Sequence, residues 1–395
     1  MTRREAARNL LVWMAGSPLV RAQQDPAAPT DRIPALEDLV NVFEFEPVAQ
    51  AKVLRSTHDY VSGGVDDEWT LRRNREMFGR LMLRPRFLRD TSKLDLSTEL
   101  FGARVEAPIL LSPTGNLGLV HAESELATAR GAGAAKSILT ISSAATQPIE
   151  KIAAAATGPS WFQLYTTADL DSTHERVERA VAAGCRTVCY TVDSQYGPHR
   201  ERLLRDRSSR TAAPSPAAAA RARQPGGRGS AYELPAQYRL QPALSAKLTW
   251  PFVEELKSWA RVPVLIKGIL TGEDARLCVE HGAAGVIVSN HGARRLDHVP
   301  STIEVLPEIV EAVGGKIPVL IDGGFRRGTD ILKALALGAK AVMVGRPAVW
   351  GLGAYGAAGV QRVMELLQTE LARAMGLAGC ATLASVDRNV VRMER

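Results

Sequence analysis

Val262-Pro263-Val264-Leu265-Ile266-Lys267-Gly268 is a short apolar run that ends on a lysine. Helix-forming Glu273–His281 comes next, then a second apolar run, Gly285-Val286-Ile287-Val288-Ser289, which leads into Asn290-His291-Gly292-Ala293-Arg294-Arg295-Leu296-Asp297. A short run without alternating polar residues is what a strand buried on both faces requires. A strand, a helix and a second strand form a parallel βαβ unit. The same rhythm covers most of the chain. Pro108–Ser112, Ser137–Ser142, Trp161–Tyr165 and Thr187–Val192 come before it, and Ile317–Asp322 and Ala341–Gly345 after it, making eight runs. Helix-forming stretches between them include Glu123–Ala135, Asp169–Ala183, Thr329–Leu337 and Gly359–Met375. Eight strands alternating with helices predict an α/β chain folded as a (β/α)8 TIM barrel. A doubly wound sheet has fewer units and a glycine-rich turn after its first strand, which is absent here.

The 395 residues allow one large barrel. A hydrophobic content of 46% and a charged content of 23% belong to a globular chain rather than a disordered or fibrous one. Residues 46–100 are charge-rich and read as an N-terminal helical extension to the barrel. Residues 23–45, which contain Pro and Asp, read as a linker. The domain expected from this is 46–395. Residues 1–22 read as a signal segment: Thr2-Arg3-Arg4, then the uncharged stretch Asn9–Val20, then Val20-Arg21-Ala22. Twin arginines suggest export of a folded protein to the periplasm. Glu5 stands where an apolar residue usually follows them, so a plain N-terminal tail on a cytoplasmic protein is the alternative. Cys185, Cys189, Cys278 and Cys380 show no metal spacing and read as buried small hydrophobes. The histidines form no ligand cluster, and no metal is expected.

Net charge is +7, and one segment supplies most of it. Between Arg200 and Arg228, eight arginines face only Glu201 and Asp206, a net of +6. No aromatics interleave for base stacking, so nucleic acid is not the expected partner. The segment lies in an insertion, residues 201–245, after the fourth strand. Its low-complexity centre, Ser208–Gly229, is expected to be disordered, as a catalytic-face loop that attracts anions.

The strands end on polar residues: Thr114, Ser142, Gln163, Tyr165, Thr191, Asp193, Lys267, Ser289, His291, Asp322, Gly323, Gly345 and Arg346. Barrel enzymes carry their chemistry at this face. An imidazole near neutral pH takes a proton, and a guanidinium three residues on holds a carboxylate in two parallel hydrogen bonds. That pairing suits oxidation of a hydroxy acid. Gly323, Gly324 and Gly345 let backbone N–H groups approach an anion after strands seven and eight, where barrels bind phosphate, and Arg326 and Arg346 neutralise it.

From about Glu46 to Arg388 the chain resembles the FMN-dependent α-hydroxy acid oxidases and dehydrogenases, the family of glycolate oxidase, lactate oxidase and mandelate dehydrogenase. The resemblance is carried by Asp67–Asn74, Trp161–Tyr165, Asn290–Asp297, Asp322–Ala339 and Val344–Pro347. It implies FMN as cofactor and oxidation of an (S)-2-hydroxy acid, lactate-like or larger, to the 2-oxo acid. Oxygen, or a quinone or cytochrome, is the implied electron acceptor, and a homo-oligomer, a tetramer, the implied assembly. By the same resemblance His291 is the base and Asp193 steadies it. Arg200, Arg294 and Tyr60 hold the substrate carboxylate, and Tyr165 faces the substrate hydroxyl. Lys267 lies beside the flavin's pyrimidine edge. Thr114, Gly115, Ser142, Gln163, Thr191 and Ser289 line the ring and ribityl chain, and Asp322, Gly323, Arg326, Gly345 and Arg346 form the ribityl and phosphate site. Two positions depart from the common pattern. Gly115 stands where many of the oxidases carry alanine and resembles the mandelate dehydrogenase branch. Ala144 stands where glycolate-type enzymes often carry tryptophan. An FMN barrel acting on another substrate, such as a peptide-derived cofactor precursor, is the alternative.

Overall fold

Four prolines set the frame of this protein. Pro108, Pro159, Pro263 and Pro318 each stand immediately before an odd-numbered barrel strand. A proline has no N–H to give, so it suits the first residue of a strand. Its carbonyl is still an acceptor. In the computed structural model, which describes residues 33–167, 169–205 and 243–394, all four carbonyls accept from a residue of an even-numbered strand. The donors are Val342, Leu139, Val188 and Val286, at 2.9, 3.2, 2.9 and 3.0 Å in that order.

The strands are β1 (Ile109–Leu111), β2 (Leu139–Ser142), β3 (Ser160–Leu164), β4 (Val188–Thr191), β5 (Val264–Ile269), β6 (Gly285–Val288), β7 (Val319–Ile321) and β8 (Ala341–Val344). They pair in sequence order, all parallel, and β8 closes on β1. The fold is the (β/α)8 barrel that the runs predict, and every observed strand overlaps its predicted run.

The bottom of the barrel is closed. A hairpin of Thr98–Leu100 and Ala103–Val105 precedes β1. Its Leu100 and Val105 join Leu110, Trp161, Cys189, Leu265, Ile287, Leu320 and Met343 in one buried cluster. Phe101 meets Trp161 edge-on, with centroids 5.6 Å apart. Apolar packing therefore fills the lower barrel, and the polar residues gather at the opposite, C-terminal end. The four cysteines are free and buried.

Before the barrel come α1 (Phe45–Lys52), α2 (Arg55–Ser62) and α3 (Trp69–Gly79), the N-terminal helical extension. The helices from β1 onward are α4 (Ser124–Ala134), α5 (Ile149–Ala155), α6 (Leu170–Ala182), α7 (Glu201–Arg205), α8 (Pro251–Ala260), α9 (Gly272–Glu280), α10 (Thr302–Val313), α11 (Gly328–Ala336) and α12 (Arg346–Ala378). Two sequence readings change here. The predicted linker 23–45 includes Leu39, Val42 and Phe45, which are buried, so the packed body begins before Glu46. Their spacing of three presents one apolar side to the body. The last helix, Arg346–Ala378, is two helical segments joined across non-helical Tyr355 and Gly356; the predicted Gly359–Met375 falls in the second, and the first, from Arg346, is the addition. Its early glycines hide it, because glycine is a poor helix former. Residues 1–22 and the low-complexity loop centre Ser208–Gly229 lie outside the described residues. No helix among the described residues is long and apolar enough to cross a membrane.

Candidate active site

A buried polar layer caps the upper barrel. Ser142 Oγ donates to Gln163 Oε1 (3.0 Å), and Gln163 Nε2 donates to Thr191 Oγ1 (2.9 Å). On the facing strands Lys267 Nζ lies 2.6 Å from Ser289 Oγ and 2.8 Å from Asp322 Oδ2. Burial disfavours the lysine charge, but Asp322 and Asp193 outweigh it and hold Lys267 above its ordinary value, so it stays cationic. Gly268, at φ +112°, makes room beside it. A Cβ there would sit 3.0 Å from the Asp193 side chain. The glycine therefore lets Asp193, just past β4, press against β5.

His291 lies between two partners. Its Nδ1 is 2.8 Å from Asp193 Oδ1, and its Nε2 is 3.0 Å from the Tyr165 hydroxyl. The carboxylate only accepts, so Nδ1 carries the hydrogen and Nε2 presents its lone pair. Burial lowers the His291 pKa. Asp193 opposes that shift, Lys267 and Arg295 add to it, and the net value lies below the ordinary one. The ring is therefore neutral at neutral pH. For Asp193, burial alone would raise the carboxyl. The His291 charge and hydrogen bond, with Lys267 and Arg295, outweigh it and hold the value at about 2. The loop that presents the ring is reversed: His291, Gly292 and Ala293 all have positive φ, at 58°, 63° and 61°. Left-handed backbone at a non-glycine residue costs about 1–3 kcal/mol and persists where surroundings enforce it. Here Ser289 Oγ accepts from the His291 N–H (3.0 Å), and Asn290 Oδ1 from the Ala293 N–H (3.2 Å).

Arginines without carboxylate partners ring the cleft. Arg200 and Arg294 each lie 5.0 Å from the Tyr60 ring centroid. Arg294 Nη1 donates to the carbonyls of Tyr60 (2.7 Å) and Gly63 (3.0 Å), which fixes its plane. Burial, then Arg200 and Arg346, push Arg294 down to about 9. The Tyr60 hydroxyl accepts from Asn116 Nδ2 at 3.1 Å. Guanidiniums crowded without counter-charge make an anion site.

The cleft encloses about 1250 Å³, open mouth included. Three observations test whether FMN fits its residues. Arg326 is buried, rests 4.6 Å from the Trp350 ring centroid, and is pushed down to about 10 by burial and by Arg75. A phosphate supplies the charge that it lacks. Gly345 faces open space, with only Ser112 Cβ at 3.7 Å from where its own Cβ would be. Asp322 Oδ1 and Ser112 Oγ are buried without hydrogen-bond partners, and both residues line the cleft. Ribityl hydroxyls and phosphate oxygens would satisfy such atoms. The residues fit.

Thr114, Gly115, Ser142, Tyr165, Thr191, Lys267, His291, Asp322, Gly323, Arg326 and Gly345 all line the cleft, as do Tyr60, Arg200 and Arg294. Asp193, Gln163 and Ser289 lie behind this lining and bond to residues in it. Arg346 also reaches the cleft, but its guanidinium donates to the carbonyls of Val61, Gly63 and Gly292, each at 2.9 Å. It ties the histidine loop to the extension, and two of its five N–H groups remain for an anion in the cleft.

Several residues escaped the sequence reading. Asn74 and Asn290 exchange two buried amide hydrogen bonds, at 3.0 and 2.8 Å. Asp297 accepts from the Trp69 and Thr70 N–H groups (3.1 and 2.8 Å) and so caps α3. Both Asn74 and Asp297 sit in segments that carry the family resemblance, which was the available signal. Arg295, next to Arg294, also lines the cleft. Among the described residues no cluster of three or more His, Cys, Asp or Glu could hold a metal ion.

The comparisons agree with this geometry. The model of the FMN-dependent dehydrogenase family matches residues 49–393. Glycolate oxidase 5 of Oryza sativa subsp. japonica is 41% identical over 365 residues, spanning 90% of this chain and 96% of that one. Glycolate oxidase of Spinacia oleracea is 41% identical over 355 residues, spanning 89% and 95%. A crystal structure of mandelate oxidase superposes with a TM-score of 0.79 at 37% identity, covering 90% of this chain and 98% of that one. A barrel with this cleft, matched along nearly its whole length, belongs to the FMN-dependent dehydrogenase family, and FMN is its cofactor.

Proposed function

We propose that this enzyme oxidises an (S)-2-hydroxy acid larger than glycolate to the 2-oxo acid and passes the electrons to oxygen. The observation that carries the reading is the neutral His291 ring, held between Asp193 and Tyr165 in one cleft with the carboxylate-free Arg200–Tyr60–Arg294 cluster. The two arginines and Tyr60 hold the substrate carboxylate. Tyr165 orients the hydroxyl, and Nε2 of His291 takes a proton as the 2-oxo acid forms. Asp193 stabilises the imidazolium that results. FMN supplies the two-electron acceptor. Lys267 is a fixed cation that offsets negative charge gained at that acceptor.

Ala144, which lines the cleft, sets the substrate size. A Cβ built on Gly115 would sit 2.8 Å from Ala144 Cβ. Glycine at 115 therefore lets residue 144 pack directly against it, and only the small Ala144 side chain stands in the cleft lining there. Each substrate methylene buried there contributes about 0.8 kcal/mol, roughly fourfold in kcat/KM. Lactate, longer and aromatic acids are expected to exceed glycolate. Ala144→Trp should reverse that order. A wild-type enzyme that prefers glycolate would show that position 144 does not set substrate size. Oxygen is chosen over a quinone or cytochrome because relatives of 36–41% identity are named oxidases. Oxygen uptake and anaerobic dye reduction, measured side by side with glycolate, lactate and mandelate, test substrate and acceptor together. Dye reduction without oxygen uptake would make the enzyme a dehydrogenase.

The pH dependence follows from His291. Its unprotonated form is the base and its pKa is depressed, so activity is lost as pH falls through a value below about 6.5. A kcat/KM profile with its acid limb centred above that value would assign the limb, and the base, elsewhere.

A further inference from the structure

Five arginines and one lysine line the cleft, against a single lining carboxylate, Asp322, which is paired with Lys267. The proposed function uses most of that charge. Arg326 faces the phosphate end, Arg346 is held by three carbonyls, and Arg200 and Arg294 take the substrate carboxylate. Arg295 is left over. It lies at the reacting end, with its guanidinium carbon 5.7 Å from the Tyr165 ring centroid. Its one hydrogen bond among the described residues is from Nη1 to the Tyr196 carbonyl, at 3.4 Å. Its Nε is buried and has no hydrogen-bond partner. Asp193, whose carboxyl Arg295 helps to hold down, has its ion pair with His291. No described carboxylate forms an ion pair with Arg295.

A half-buried guanidinium with an unused buried N–H carries a desolvation cost that a ligand anion would relieve. We infer that Arg295 recognises a second carboxylate on the substrate, so that the preferred acids are 2-hydroxy dicarboxylates. This rests on the oxidation of 2-hydroxy acids proposed above and narrows it. The first carboxylate binds at Arg200, Arg294 and Tyr60. The C2 hydroxyl faces Tyr165 and His291. The substrate's far end extends past Tyr165 to Arg295. The cleft, lined by the small Ala144 rather than a bulkier side chain, admits the intervening methylenes.

The test compares chain-matched acids on the FMN-loaded enzyme: (S)-malate with (S)-2-hydroxybutanoate, and (S)-2-hydroxyglutarate with (S)-2-hydroxypentanoate. Wild type should favour the diacid of each pair. Arg295→Gln should lower the diacid-to-monoacid ratio of kcat/KM by about tenfold or more, the scale of one charge-assisted hydrogen bond to a carboxylate. An unchanged ratio overturns the proposal. So does an equal fall for both acids with a moved acid limb, which would place Arg295 behind the Asp193–His291 pair. Product binding gives a reading without any variant. 2-oxoglutarate should perturb the wild-type flavin spectrum at a lower concentration than 2-oxopentanoate, and equal concentrations overturn the inference. A wild type inert toward all four hydroxy acids and toward lactate would fail at the level of the oxidation itself, a result distinct from active monoacid turnover without diacid preference.

Discussion

Replacing His291 by glutamine lowers the rate of flavin reduction about 10²–10⁴-fold, the usual contribution of one general base, while FMN remains bound. Glutamine keeps a polar group in the reversed loop but offers no lone pair of suitable basicity. The cofactor cleft does not depend on the ring, because the polar layer beneath it is held by Lys267, Ser289 and Asp322. Anaerobic mixing with saturating (S)-lactate, followed by bleaching of the flavin absorbance, measures the step directly. Reduction at the wild-type rate would mean that another residue takes the proton. Asp193→Asn serves as the companion. It removes the partner that raises the His291 pKa, so the acid limb moves to still lower pH as the rate falls.

Lys267→Met should have the second large effect, on stability and cofactor affinity together. The Lys267–Asp322 pair is nearly inaccessible, with side chains 4% and 9% exposed. Removing one member of a buried pair costs about 3–5 kcal/mol, because the remaining charge is left without a partner. Asp322 Oδ1 already lacks a hydrogen bond, so the carboxylate has little local relief. The variant should be purified with substoichiometric FMN and a lower Tm. Lys267→Met combined with Asp322→Asn separates charge burial from function. The double variant should regain most of the thermal stability and still reduce its flavin slowly. A double variant as unstable as the single would show that the lysine packs rather than compensates charge.

The barrel was legible in the sequence because its strands are buried on both faces. That condition writes uninterrupted apolar runs such as Gly285–Val288, and proline punctuates the starts of the odd strands. Lys267, Asp322 and Tyr165 were legible for the complementary reason: a polar residue that closes an apolar run stands at the catalytic end of a barrel. The first segment of α12 was hidden, since Gly351 and Gly353 lower local propensity while tertiary contact holds the chain helical. The packed segment at Val42 and Phe45 was hidden too, because a few apolar residues in a polar context do not reveal which surface covers them.

Pairings belong to the tertiary structure. Asp193 and His291 are 98 residues apart, and only barrel closure brings the end of β4 to the loop after β6. Arg294 and Arg295 are adjacent and chemically identical in sequence. The left-handed turn at His291–Ala293 sends one to Tyr60 and the other to Tyr165. Arg346 reads from sequence as a phosphate ligand, and only the fold shows that it also braces three carbonyls of the histidine loop and the extension. Composition and period thus determined the architecture, because burial acts on each segment locally. The direction of each charged side chain was decided only by backbone reversals and by contacts between distant segments.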